Sequence, residues 1–98
     1  MIAEFLKTGK DNAVPSKVLA KMAGCGSVRD LRALVSQERQ QGAVILSTSR
    51  NGGGYYLPAN TEEVQEFIRT LDARARHTFL ALRSARKYLK EIENVDEN

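Results

Sequence analysis

The chain has 98 residues, 42% hydrophobic and 28% charged, a balance that argues against disorder and allows one modest core. No apolar run approaches the roughly 18–20 residues of a membrane span, and the opening MIAEFLKTGKDN lacks the layout of a secretory signal. One cysteine, Cys25, and one histidine, His77, exclude an internal disulfide and a closed Cys/His metal site, and fit a small protein of the reducing cytoplasm. The net charge of +3 is uneven: residues 1–60 hold eight bases against four acids, residues 61–98 seven against eight. A basic front half hints at nucleic acid.

Pro58 divides the chain, giving a front domain over 1–58, a long helix over 59–93 and an acidic, frayed tail over 94–98. In the front domain, Ile2 to Leu6 reads as the end of a first helix stopped by Gly9 and the polar Lys10–Asn12. Ala13 and Val14 read as a short extended piece, because the residue before Pro15 is biased away from helix. Ser16 starts a second helix with Val18, Leu19 and Met22 on its apolar side, and Gly24-Cys25-Gly26 breaks it. Cys25 is read as a small turn residue facing the core. Ser27 supplies an N-cap hydroxyl with Asp30 three residues on, so a third helix is expected from about Val28 to Gln41, closed by Gly42.

At 100° per residue the third helix gathers Val28, Leu31, Leu34 and Val35 on one side. Arg29, Arg32, Ala33, Ser36, Gln37 and Gln40 lie opposite, with Arg39 on the flank. Guanidinium, amide and hydroxyl groups are the ones that reach phosphates and base edges in a major groove; an ordinary solvated face has the same composition. Next, residues 43–49 and 55–57 are β-prone on either side of Arg50-Asn-Gly-Gly-Gly54, which predicts a hairpin with a pliable tip carrying Arg50 outward. The triple glycine is no phosphate-binding loop, since neither Lys-Ser/Thr nor a helix start follows it.

Helix, helix-turn-helix and hairpin follow one another in the order of a winged helix. The run SKVLAKMAGCGSVRDLRALVSQERQQGAVILSTSRNGGGYYLP, residues 16–58, resembles bacterial winged helix-turn-helix domains. Its Gly-Tyr-x-Leu-Pro ending is similar to the close of the wing in the N-terminal domain of the biotin operon repressor. Small phage and prophage regulators are similar as well, including the long helix after the wing. The resemblance implies double-stranded DNA binding, with the recognition helix 27–41 in the major groove and the wing 43–57 beside it. Carried over by position, Arg29, Arg32, Ser36 and Gln37 would read bases, Lys17, Ser27 and Arg39 would meet phosphates, and Arg50 would be the wing contact. Two departures are the extra glycine in Gly24-Cys25-Gly26 and the glycine-heavy wing tip.

The fold class is therefore mainly α with a small β-hairpin, a winged helix-turn-helix followed by one long C-terminal helix. Asn60 or Thr61 caps that helix, with Glu62, Glu63 and Glu66 in its first turns. Val64, Ile68, Leu71, Ala75, Thr78, Leu82, Ala85, Leu89 and Ile92 alternate spacings of four and three, a coiled-coil-like seam. Ala75, Thr78 and Ala85 make the seam weak, while Phe67, Phe79, Ala81 and Tyr88 widen it. The start of the helix is expected to pack on the front domain. The stretch Leu71, Ala75, Thr78, Leu82, Ala85, Leu89 and Ile92 is expected to pack on a second copy in either orientation, as a homodimer. Arg69, Arg76, Arg83 and Lys90, spaced by seven, read as a solvated face with local pairs such as Glu66 with Arg69 and Asp72 with Arg76.

No nucleophile, base and orienting group come together in the sequence, so the chain is not read as an enzyme. No cofactor, metal, membrane or small-molecule ligand is expected. The function expected is that of a dimeric transcriptional regulator of bacterial or phage origin. The alternative is a protein-interaction adaptor, or a phage replication or recombination accessory, using the winged helix for docking.

Overall fold

The structure, a computed structural model, describes the backbone of residues 1–97 and the side chains of residues 1–93 apart from Asn51. It is mainly helical, with a two-stranded antiparallel hairpin and a long C-terminal helix: α1 Ser16–Met22, α2 Val28–Gln40, β1 Leu46–Thr48, β2 Gly54–Tyr56 and α3 Thr61–Glu97. Two compact units divide after Phe67, two turns into α3, rather than at Pro58.

Where a first helix is expected, Ile2–Phe5 forms a single 3₁₀ turn. Its Ile2 is buried, and the Ile2 N–H donates to both carboxylate oxygens of Glu38, at 2.9 and 3.0 Å. A buried acid on the core side of α2 is thereby matched to a backbone donor from 36 residues away. Helix α1 has no side-chain cap and follows the extended Pro15. It buries Leu19 and Ala20, whereas Val18 and Met22 stay half-exposed. The seven-residue helix turns its Leu19–Ala20 edge to α2, and Ala23 and Cys25 beyond its end complete that contact with the core.

Ser27 caps α2 as expected, its Oγ accepting the Asp30 N–H at 3.1 Å. Leu31 and Val35 are almost fully buried, while Leu34 lies on the exposed side. The helix ends on Gly42 at φ +105°, where the Ala43 and Gly42 N–H groups return to the Glu38 and Arg39 carbonyls at 2.9 and 3.0 Å. This paired closure satisfies the Glu38 and Arg39 carbonyls and needs the left-handed residue that glycine supplies.

Each strand of the hairpin is three residues long, β1 shorter than the expected 43–49 and β2 starting one residue before the expected 55–57, in the register Leu46↔Tyr56, Ser47↔Tyr55 and Thr48↔Gly54. The second edge of β2 is also occupied. Val14 and Tyr55 exchange N–H···O bonds of 2.8 and 3.0 Å, and Leu57 bridges to Thr8. The extended piece at Val14 thus serves as a third, one-residue strand, and β2 runs through the middle. Ile45 and Tyr55 join Ile2, Val14, Leu19, Ala20, Leu31 and Val35 in the main core. Leu46 and Tyr56, cross-strand partners, are buried outside that cluster.

Arg50–Gly52 is a 3₁₀ turn, the Gly53 N–H donates to the Arg50 carbonyl at 2.9 Å, and the Arg50 N–H donates to Thr48 Oγ1 at 3.1 Å. A Cβ at Gly54 would stand 2.7 Å from the Val14 carbonyl oxygen and 3.1 Å from Ala13 Cβ. The backbone crossing needs a residue without a side chain there.

The first turns of α3 close the front unit. Asn60 Oδ1 accepts the Glu63 N–H at 2.9 Å, and Glu63 reaches back to the Ala59 N–H and across to the Lys10 N–H, each at 2.9 Å. Lys10 Nζ meets Glu66 Oε1 at 2.7 Å. Helix α3 then continues to Glu97, so the tail expected to fray at 94–97 is helical; Asn98 lies outside the described residues. In the second unit every described side chain from 68 to 93 is exposed.

Candidate nucleic-acid interface

Anchoring Leu31 and Val35 in the core fixes the rotation of α2 and turns Arg29, Arg32, Ala33, Ser36, Gln37 and Gln40 to solvent. Arg29, Arg32, Ser36 and Gln40 follow one another at spacings of three and four, the neighbour spacing of one helix face. Gln40 Nε2 donates to Ser36 Oγ at 3.4 Å. Neither Arg29 nor Arg32 has a hydrogen bond or ion pair among the described residues, so both guanidiniums keep all their donors for an external acceptor.

Of the remaining candidates, Ser27 is exposed at the N-terminus of α2, but its hydroxyl oxygen is engaged as the cap. Lys17 is exposed on α1, and Arg50 on the tip turn. Lys21, absent from the sequence-derived set, is exposed one turn after Lys17; the i, i+4 spacing of the two lysines is the signal for it.

Arg39 departs from its expected role as a phosphate contact. Its Nε donates to the Ile45 carbonyl at 2.8 Å and its Nη2 to Ser47 Oγ at 3.5 Å. The guanidinium carbon lies 4.9 Å from the Phe67 ring centre and 6.0 Å from that of Tyr55. Burial pushes its pKa below the ordinary arginine value, with the Tyr55 phenol working the other way. Arg39 is a clamp joining α2, the hairpin and the start of α3, made of donor bonds and cation–π contact.

Two other groups are tuned by the same closure. N–H donation from Ala59 and Lys10 holds the Glu63 carboxyl below its usual pKa. Burial raises the Tyr56 phenol above its own, opposed by Lys10 and aided by Glu63 and Glu66. Among the described residues, no three His, Cys, Asp or Glu side chains are grouped to hold a metal ion, and no helix is long and apolar enough to cross a membrane. Comparison with protein-family models, curated proteins and solved structures finds no match to this chain.

Proposed function

We propose that this chain is a sequence-specific double-stranded DNA-binding protein of the winged helix-turn-helix kind, acting as a dimeric transcriptional regulator in the cytoplasm of a bacterium or on behalf of a phage. The observation that carries the reading is the two-sidedness of α2. Leu31 and Val35 hold it in the core, while Arg29, Arg32, Ser36, Gln37 and Gln40 face outward together. A helix so mounted is what a major groove admits, and bidentate arginine and amide contacts are what distinguish its base pairs. The element order also supports the reading: α1, a five-residue turn, α2, then a hairpin whose exposed tip begins with Arg50. Lys17, Lys21 and Arg50 would supply phosphate contacts from neighbouring elements, giving affinity that falls with salt. Arg39 has no part in this, being committed to the fold.

The test is a titration of the protein into random-sequence and selected duplexes at two salt concentrations, alongside the Arg29→Ala/Arg32→Ala variant. Salt-sensitive binding with a preferred site is expected. The variant should lose discrimination by about 1–3 kcal/mol for each base-reading contact removed. No binding at low salt from the folded protein would overturn the proposal in favour of protein docking. An unchanged site preference in the variant would remove α2 as the reader.

A further inference from the structure

In the second unit, α3 is an unbroken helix whose apolar stripe is uncovered: Ile68 is 56% exposed, Leu82 46% and Leu89 56%. Read outward from Leu80, the stripe is nearly symmetric. Ile68, Leu71, Ala75 and Thr78 precede that point, and Leu82, Ala85, Leu89 and Ile92 follow it in reverse order of size. We infer that α3 pairs with a second copy of itself antiparallel, about a two-fold axis at Leu80.

In that register Ile68 meets Ile92, Leu71 meets Leu89, Ala75 meets Ala85 and Thr78 meets Leu82, each contact occurring twice. Large residues pair at the ends, the small Ala75 and Ala85 pair inside them, and Thr78 against Leu82 lies beside the axis. Positions flanking the seam settle the orientation. Asp72, Phe79 and Arg86 lie along one flank, Arg74, Ala81 and Tyr88 along the other. Antiparallel helices bring each flank against itself, with contacts level to within two residues, or about 3 Å of rise. Phe79 then meets Phe79 over the centre, filling the volume that Ala75, Thr78 and Ala85 leave. Asp72 meets Arg86, and Arg74 lies against the Tyr88 ring, again twice each. A parallel pair sets Arg74 opposite Phe79, Ala81 opposite Arg86 and Tyr88 opposite Glu93, with no opposite charges in contact. Asp72 is free to take a second cation, because its ion pair with Arg76, 3.6 Å apart, is exposed. Arg69, Arg76, Arg83 and Lys90 stay on the outer face in either orientation.

This inference gives the proposed dimer its geometry and does not depend on DNA. The test uses the full chain in a Cys25→Ala background without DNA, with sedimentation to measure mass and oxidation to trap neighbours. Ala75→Cys and Ala85→Cys should each give little disulfide-linked dimer alone and should cross-link when mixed. Association should fall at least about five-fold in Asp72→Arg, since both Asp72–Arg86 pairs are lost and each Arg86 then faces another arginine. The further change Arg86→Asp should restore it. Cross-linking of Ala75→Cys with itself would overturn the antiparallel register. A monomeric mass throughout would overturn the pairing itself, leaving the DNA titration to judge α2 separately.

Discussion

Replacing Gly54 by alanine probes the backbone crossing on which the front unit closes. The added methyl group would stand 2.7 Å from the Val14 oxygen, 3.0 Å from the Val14 carbonyl carbon and 3.1 Å from Ala13 Cβ. Two of these neighbours are backbone atoms, so no side chain can rotate away. Relief requires Val14 to move off β2, which endangers the two bonds it exchanges with Tyr55. Two backbone hydrogen bonds at about 1 kcal/mol each, plus overpacking of about 1–3 kcal/mol in so far as Val14 does not move, give an expected loss of roughly 2–4 kcal/mol. For a unit of this size that is a fall in Tm of about 10–20 °C. The control is Gly52→Ala, at φ +90° with nothing within 4 Å of its Cβ, which meets only the left-handed backbone strain of about 1–2 kcal/mol. Denaturant unfolding followed by tyrosine fluorescence gives the free energies, and amide exchange at Val14 and Tyr55 locates the damage. A Gly54→Ala protein within 0.5 kcal/mol of the parent, or more stable than Gly52→Ala, would refute this account of the crossing.

Arg39→Met should destabilise the front unit by about 1–3 kcal/mol, through loss of the Ile45 and Ser47 bonds and the ring contact. It should leave the salt dependence of DNA binding unchanged; a shallower dependence with intact stability would make Arg39 a phosphate contact after all. Glu63 titrates below its usual value because the Ala59 and Lys10 N–H groups favour its charged form. Its contribution to closing α3 is therefore complete above the unfolded carboxyl value of about 4.3 and is lost as pH falls through the depressed folded value. Protection of the Lys10 and Ala59 amides from exchange, taken relative to the intrinsic rate at each pH, should fall on acidification across that interval, and Glu63→Gln should abolish the change; identical acid profiles for the two proteins would exclude this role.

The amino-acid sequence alone placed α2 within one residue, because Ser27, Asp30 and Gly42 are local signals: a cap, a favourable charge on the helix N-terminus and a left-handed stop. It likewise placed the start of α3 through Asn60 and Glu63, and the hairpin through two β-prone runs about a glycine cluster. Each of those features is set by residues within a few positions of one another. Tertiary structure decided the rest. Arg39 reads as a polar residue of a helix flank and nothing local marks Glu38; only the approach of the Ile2 N–H makes Glu38 a buried acceptor, and only that of Ile45, Ser47 and Phe67 makes Arg39 a clamp. Val18 and Met22 are as hydrophobic as Leu19, yet stay half-exposed because a seven-residue helix presents only one edge to α2. Gly54 is where Val14 crosses, a contact between residues 40 apart in sequence that no local pattern encodes.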